Sequence, residues 1–183
     1  LAAPALARAM IRIGLFFGST NGHTADVAAR PKARPDALLP PGSEEAVELF
    51  DVADYYLEEM LDFPCLILGA PTWNHGQLQR DWERVIEEFG ALDLRGKRAA
   101  VFGLGDQLGY PDTFADAVFF IADQLRAAGA QLVGRWPLAG YSFRASWAVD
   151  EGQFLGLVVD EDNQPELTAA RLQAWSRQIV QEF

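Results

Sequence analysis

A regular alternation of short apolar runs and helix-patterned segments predicts an α/β fold. The expected form is a doubly wound, five-stranded parallel sheet in the order 2-1-3-4-5, with an insertion in strand five. Three observations carry this. Each of five apolar runs is followed by a segment of helical spacing, which implies right-handed βαβ crossovers and a sheet covered on both faces. The loops that follow runs one, three and four combine glycine, hydroxyl and aromatic residues in an unusual way. The length, 183 residues, suits one domain burying roughly 70% of its unfolded surface.

Ile11 to Phe17 (IRIGLFF) is rich in branched and aromatic residues and stops at Gly18, as a buried first strand does. A helix is expected from Thr24 to Arg30, interrupted by Pro31, Pro35 and the Pro40-Pro41 pair. Val47 to Val52 reads as strand two and Asp54 to Leu61 as a short helix. Cys65 to Ala70 (CLILGA) is a strongly apolar third strand. Trp82, Val85, Ile86 and Phe89 lie on one helical face, with Gly90 as the stop. Lys97 to Gly103 is strand four, and Phe114, Val118, Ile121 and Leu125 mark a long helix ended by Gly129. Gln131 to Trp136 and Phe154 to Val159 read as two pieces of strand five, divided by the insertion 137–153. Leu172, Trp175, Ile179 and Phe183 line the last helix, with Thr168 as the expected N-cap.

Composition narrows the function. Fifteen Lys and Arg stand against 26 Asp and Glu, a formal net charge of -11. That argues against binding nucleic acid or anionic membranes, which needs a cationic surface, and favours steering towards a basic partner. The single Cys65 precludes an intrachain disulfide, and one Cys with two His leaves no ordinary zinc framework. Cys65 sits within an apolar strand and reads as core, as do Trp82 and Trp175 on their helical faces. No apolar run reaches about 18 residues, so no membrane span is expected. Residues 1–9 (LAAPALARA) lack the apolar core of a signal peptide and read as an extension upstream of a domain over 10–183. A cytoplasmic monomer is the expectation. The acidic runs Glu44-Glu45, Glu58-Glu59, Glu87-Glu88 and Asp160-Glu161-Asp162 read individually as solvated faces.

In an open parallel sheet, ligands bind beyond the carboxyl ends of the strands, where the strand order reverses. After strand one stands Gly18-Ser19-Thr20-Asn21-Gly22-His23-Thr24, with three hydroxyls and two glycines before a helix. Glycine lets several N–H groups turn inward, and a helix N-terminus adds partial positive charge, so this is a phosphate site. It lacks the lysine of a P-loop and the spacing of a dinucleotide fingerprint, which leaves a monophosphate held by neutral donors. Taken alone, it also reads as a plain Ser/Thr/Gly helix cap. After strand three stands Pro71-Thr72-Trp73-Asn74-His75-Gly76, whose Trp73 is costly to expose unless a flat partner covers it. After strand four, Gly103-Leu104-Gly105-Asp106-Gln107-Leu108-Gly109-Tyr110 offers close backbone approach and a second ring. A phosphate loop and two aromatics at converging strand ends describe a planar heterocycle with a phosphate tail, flavin mononucleotide (FMN).

The chain resembles the long-chain flavodoxins from Met10 to Phe183. The resemblance rests on GSTNGHT at 18–24, PTWNHGQLQRDWE at 71–83, FGLGDQLGYPDTF at 102–114, GYSF at 140–143 and FLGLVVDEDNQ at 154–164. It implies that Ser19, Thr20, Asn21, Gly22, His23 and Thr24 bind the FMN phosphate and that Trp73 and Tyr110 sandwich the isoalloxazine. Pro71 and Thr72, which open that ring loop, are expected to bind the cofactor with it. The backbone at Asn74, His75 and Gly76 would face flavin N5, and that of Gly103, Leu104, Gly105 and Asp106 the pyrimidine edge. The implied function is a low-potential one-electron carrier that is not an enzyme. Its family partners are ferredoxin–NADP reductase, photosystem, pyruvate oxidoreductase and nitrogenase. Pro31 and Pro35 depart from the family's continuous first helix, and His23 and His75 stand where other residues are usual. The rival readings are an FMN-dependent NAD(P)H quinone reductase on the same fold, whose pocket Trp73 and Tyr110 would close, and a receiver domain. The latter needs acidic residues after strand one, where Phe17-Gly18-Ser19 stands.

Overall fold

The computed structural model describes residues 11–19, 24 and 47–183. Readings that fall on Thr20, Asn21, Gly22, His23, residues 1–10, the helix expected beyond Thr24 to Arg30, the proline-rich stretch 31–41 and Glu44-Glu45 lie outside the described residues; Thr24 itself is helical. The strands in chain order are β1 (Ile13–Phe17), β2 (Val47–Asp51), β3 (Cys65–Trp73), β4 (Gln77–Leu78) and β5 (Arg98–Leu104). After them come β6 (Gln131–Val133), β7 (Trp136–Pro137), β8 (Val149–Asp150), β9 (Gln153–Phe154) and β10 (Leu157–Val159). The α-helices with both ends among the described residues are α1 (Arg80–Val85), α2 (Ala117–Ala127) and α3 (Pro165–Glu182), and 3-10 helices run over Leu57–Asp62 and Ile86–Ala91.

The main sheet has the parallel order β2-β1-β3-β5, and the fifth position beside β5 is shared by β6 and β10. Ile13 is level with Val47 on one side and Cys65 on the other, and Cys65 with Arg98. This is the expected order 2-1-3-4-5. β6 pairs with Arg98–Ala100 and β10 with Phe102–Leu104, so the two pieces lie end to end along one neighbour. The antiparallel sheet β7-β9-β8 occupies the interval between them. The expected division of strand five is therefore present, but each expected piece is itself cut. The first ends at Gly134, whose carbonyl accepts from the indole Nε1 of Trp175 on α3 (2.7 Å) in place of a strand partner. The second is cut at Leu155-Gly156, where a Cβ on Gly156 would lie 2.0 Å from the Val101 carbonyl oxygen. Only a residue without a side chain lets the backbone come this close to β5.

Alternation along the strands supplies both faces. Leu66, Leu68, Ala99 and Val101 join Trp82, Phe89, Val118, Ile121 and Leu125 in one buried cluster. Cys65, Ile67, Ala100 and Phe102 join Leu172, Trp175 and Ile179 in the other. Strands buried on both faces read as the continuous apolar runs seen in the sequence. Cys65, Trp82 and Trp175 are core, as expected, and burial pushes the Cys65 thiol up against the opposing pull of Arg98 and Lys97.

Several helices differ from their sequence reading. The crossover after β2 is a 3-10 helix starting at Leu57, whose N–H donates to the Glu88 carboxylate at 3.1 Å. The helix carrying Trp82 tightens to 3-10 from Ile86 onward. Phe114 precedes α2, which begins at Ala117. Thr168 is not an N-cap. Gln164 holds that position, Pro165 opens α3 with its φ preset, and Thr168 is buried within the helix.

Candidate functional site

The carboxyl ends of β1, β3, β5 and β10 converge on a cavity of about 300 Å³. Its walls are Ser19 and Thr24 from the loop after β1, Pro71, Thr72 and Trp73 from β3, and Leu104, Gly105, Asp106 and Tyr110 from the end of β5. Glu161 and Asp162, beyond β10, complete it. Nine of the residues singled out from sequence thus meet around one space. Ser19 and Thr24 share a property there: Ser19 Oγ and Thr24 Oγ1 are buried and make no hydrogen bond. A buried hydroxyl left unpaired costs about 1–3 kcal/mol, so two at one cavity mark a place for an acceptor-rich ligand group.

The loop after β3 is a hairpin. β3 runs three residues past the expected end of the strand and returns as β4, with Trp73 opposite Gln77. The turn between them has positive φ at Asn74 (43°) and Gly76 (87°). Asn tolerates that region and Gly adopts it freely. A side chain at Gly76 would also strike Asp116 Oδ2, at 2.7 Å from the Cβ position. Burial pushes the Asp116 carboxyl up, opposed by the Trp147 N–H that it accepts at 2.8 Å. Trp73 is half-buried. His75 is exposed and stands edge-on to Tyr110, with ring centroids 5.7 Å apart and an interplanar angle of 84°. Asn74, His75, Gly76 and Gly103 are not among the described wall residues. Gly103 serves packing, since Val118 Cγ2 lies 2.3 Å from where its Cβ would stand.

The loop after β5 is organised by Asp106. Its carboxylate accepts the N–H groups of Leu108 (3.1 Å) and Gly109 (2.7 Å), which folds the turn that presents Tyr110. Burial alone would raise this carboxyl. The Gly109 and Leu108 amides and the Asn163 side chain together outweigh it and hold the group below the usual carboxylate range. Asp160, expected on a solvated face, is fully buried. It accepts from the N–H groups of Gln107, Asp162 and Asn163 at 3.0, 3.2 and 2.9 Å, which is why a charged residue can sit there. The sequence reading missed Glu161 and Asp162 as wall residues. The carboxyl-end rule that found the other three loops, applied to the strand ending at Val159, would have found them.

The flavodoxin family model matches residues 15–175. The chain belongs to the flavodoxin family. It is 46% identical to a flavodoxin of Picosynechococcus sp., over 95% of this chain and 99% of that one. It is 39% identical to flavodoxin 1 of Escherichia coli K12, over 93% of each. Fusobacterium nucleatum flavodoxin bound to flavin mononucleotide superimposes with a TM-score of 0.85 at 26% identity, covering 95% of this chain and 99% of that one. Flavodoxins are electron-transfer proteins that use FMN, and they are not enzymes. No helix among the described residues is long and apolar enough to cross a membrane.

Proposed function

We propose that this flavodoxin is a cytoplasmic, low-potential carrier that moves one electron at a time between redox proteins on non-covalently bound FMN. The observation that carries the reading is the pair of unpartnered buried hydroxyls, Ser19 Oγ and Thr24 Oγ1, on a cavity that Trp73 and Tyr110 also line. Those donors fit a phosphate group, and the two aromatic side chains fit a flat ring. Bound FMN supplies the one-electron chemistry. Ser19 and Thr24, with Thr20, Asn21, Gly22 and His23 of the same loop, hold the phosphate and so fix where the ring lies. Trp73 and Tyr110 keep water from the ring faces. The peptides of Asn74, His75 and Gly76 offer a carbonyl to a ring N–H, worth about 1 kcal/mol net. Leu104, Gly105 and Asp106 bound the polar edge.

Asp106, Glu161 and Asp162 make added negative charge at the cavity unfavourable. At ~10 Å and an effective dielectric near 20, each carboxylate contributes about 1–2 kcal/mol before screening. This supports a low potential for the second electron. The net charge of -11 supports partners with basic docking surfaces.

The test is direct. The purified chain is expected to carry one FMN and to be reduced in two resolved one-electron steps. Extraction of mainly FAD, or a single two-electron step, overturns the reading.

A further inference from the structure

The cavity wall contains a polar bridge that joins two loops 57 residues apart in sequence. The Nδ2 of Asn163 lies 2.8 Å from Asp106 Oδ1 and 3.0 and 2.9 Å from the two oxygens of Asp160. Carboxylate oxygens only accept, so the amide edge turned towards them is the NH2 group, and each of its hydrogens serves a different carboxylate. Asp160 is fully buried, and neither carboxylate forms a salt bridge among the described residues. Two like charges therefore approach one nitrogen with only N–H donors to hold them. Asp106 passes the constraint on, through the Leu108 and Gly109 amides and through its own carbonyl, which accepts from Tyr110 N at 2.9 Å. Asp160 fixes the other end, accepting from Gln107 N.

We infer that Asn163 is a positioning residue for the ring half of the cavity: its amide clamps the turn carrying Tyr110 to the end of β10, while leaving the phosphate half independent. Asn163 is not itself a wall residue; it acts through Asp106. Without its two donors the carboxylates face each other unscreened, and the 106–110 turn moves away from β10. Ser19 and Thr24, which follow β1, take no part in the bridge. This inference rests on the FMN reading above.

The test separates the two halves of the ligand. The apoprotein is titrated with FMN, with riboflavin, which has the ring and no phosphate, and with inorganic phosphate. In Asn163→Ala, FMN and riboflavin are expected to bind about tenfold more weakly while phosphate affinity stays unchanged. Amide exchange at Leu108 and Gly109 in the apoprotein is expected to quicken about tenfold. Should that variant not fold, Asn163→Asp keeps the shape, turns the donor edge into an acceptor and gives the same split. Unchanged riboflavin affinity, or an equal loss of phosphate affinity, overturns the clamp. Wild-type apoprotein that binds neither flavin overturns the proposed function instead, so the two failures are distinguishable.

Discussion

Ser19 Oγ and Thr24 Oγ1 are buried without a hydrogen-bond partner, a desolvation cost that a bound phosphate would offset. Ser19→Ala removes a hydroxyl with no partner to lose, so apoprotein stability is expected to stay the same or rise slightly. FMN should bind about tenfold more weakly and riboflavin as before, because only FMN presents the phosphate; parallel fluorescence titrations check this. Trp73, on the cavity wall, is proposed to stack on the flavin ring. Trp73→Ala is expected to weaken FMN binding by about 1 kcal/mol or more beyond the buried area lost. It should also make the second electron easier to add, because water then reaches the ring. Unchanged affinity and potentials would mean that Trp73 only packs. Cys65 needs no such role: it is buried, its thiol is held in the neutral form, and it faces the α3 cluster.

At the scale of elements, the divided fifth strand is the feature with the sharpest tolerances. β10 reaches β5 only because position 156 has no side chain, with the Val101 oxygen 2.0 Å from the Cβ site. Gly156→Ala is expected to lift β10 from β5 and lower stability by about 3 kcal/mol, read by denaturant unfolding. The insertion is pinned to β10 by Tyr141. Its hydroxyl donates to the Val158 carbonyl and accepts from Trp136 Nε1 at 3.0 Å, and the Arg171 guanidinium lies 4.0 Å over its ring. Burial pushes the Tyr141 phenol up to about 12 from 10.0, although Arg171 and the Trp136 bond act to lower it. The folded state therefore holds this proton more tightly than the unfolded chain. Its contribution is complete below pH 10 and is lost as pH rises towards about 12, on the order of 3 kcal/mol in all. Tyr141→Phe should flatten that alkaline fall. At neutral pH it should cost about 1–3 kcal/mol, because Val158 O and Trp136 Nε1 lose their partner.

For the whole molecule the deciding quantity is charge. A net -11 makes encounters with basic proteins long-ranged at low salt. Electron transfer to a basic haem protein is expected to slow about tenfold between ~0.05 M and ~0.5 M salt, where the Debye length falls well below protein dimensions. Stopped-flow rates that do not change over that range would count against electrostatic docking.

The sheet order, the division of strand five, the three loops that contribute walls to one cavity and the burial of Cys65, Trp82 and Trp175 were legible in the chain itself. These follow from local periodicity and from the handedness of βαβ units, both of which are written in neighbouring residues. Where the fifth strand breaks depends on packing in space, because Gly134 answers to Trp175 and Gly156 to Val101, residues far away in the chain. The tertiary structure also decided that Thr168 is interior, since Pro165 starts α3 a turn earlier than the capping pattern suggested. Asp160 is the clearest case. An acidic run reads as solvated when no partner is visible; Asp162 and Asn163 of its own turn supply local donors, and the Gln107 N–H is brought to it from 53 residues away by the fold. Hydrogen-bond satisfaction is a property of what surrounds a group in space, and for a buried charge that surrounding is completed only when distant loops meet.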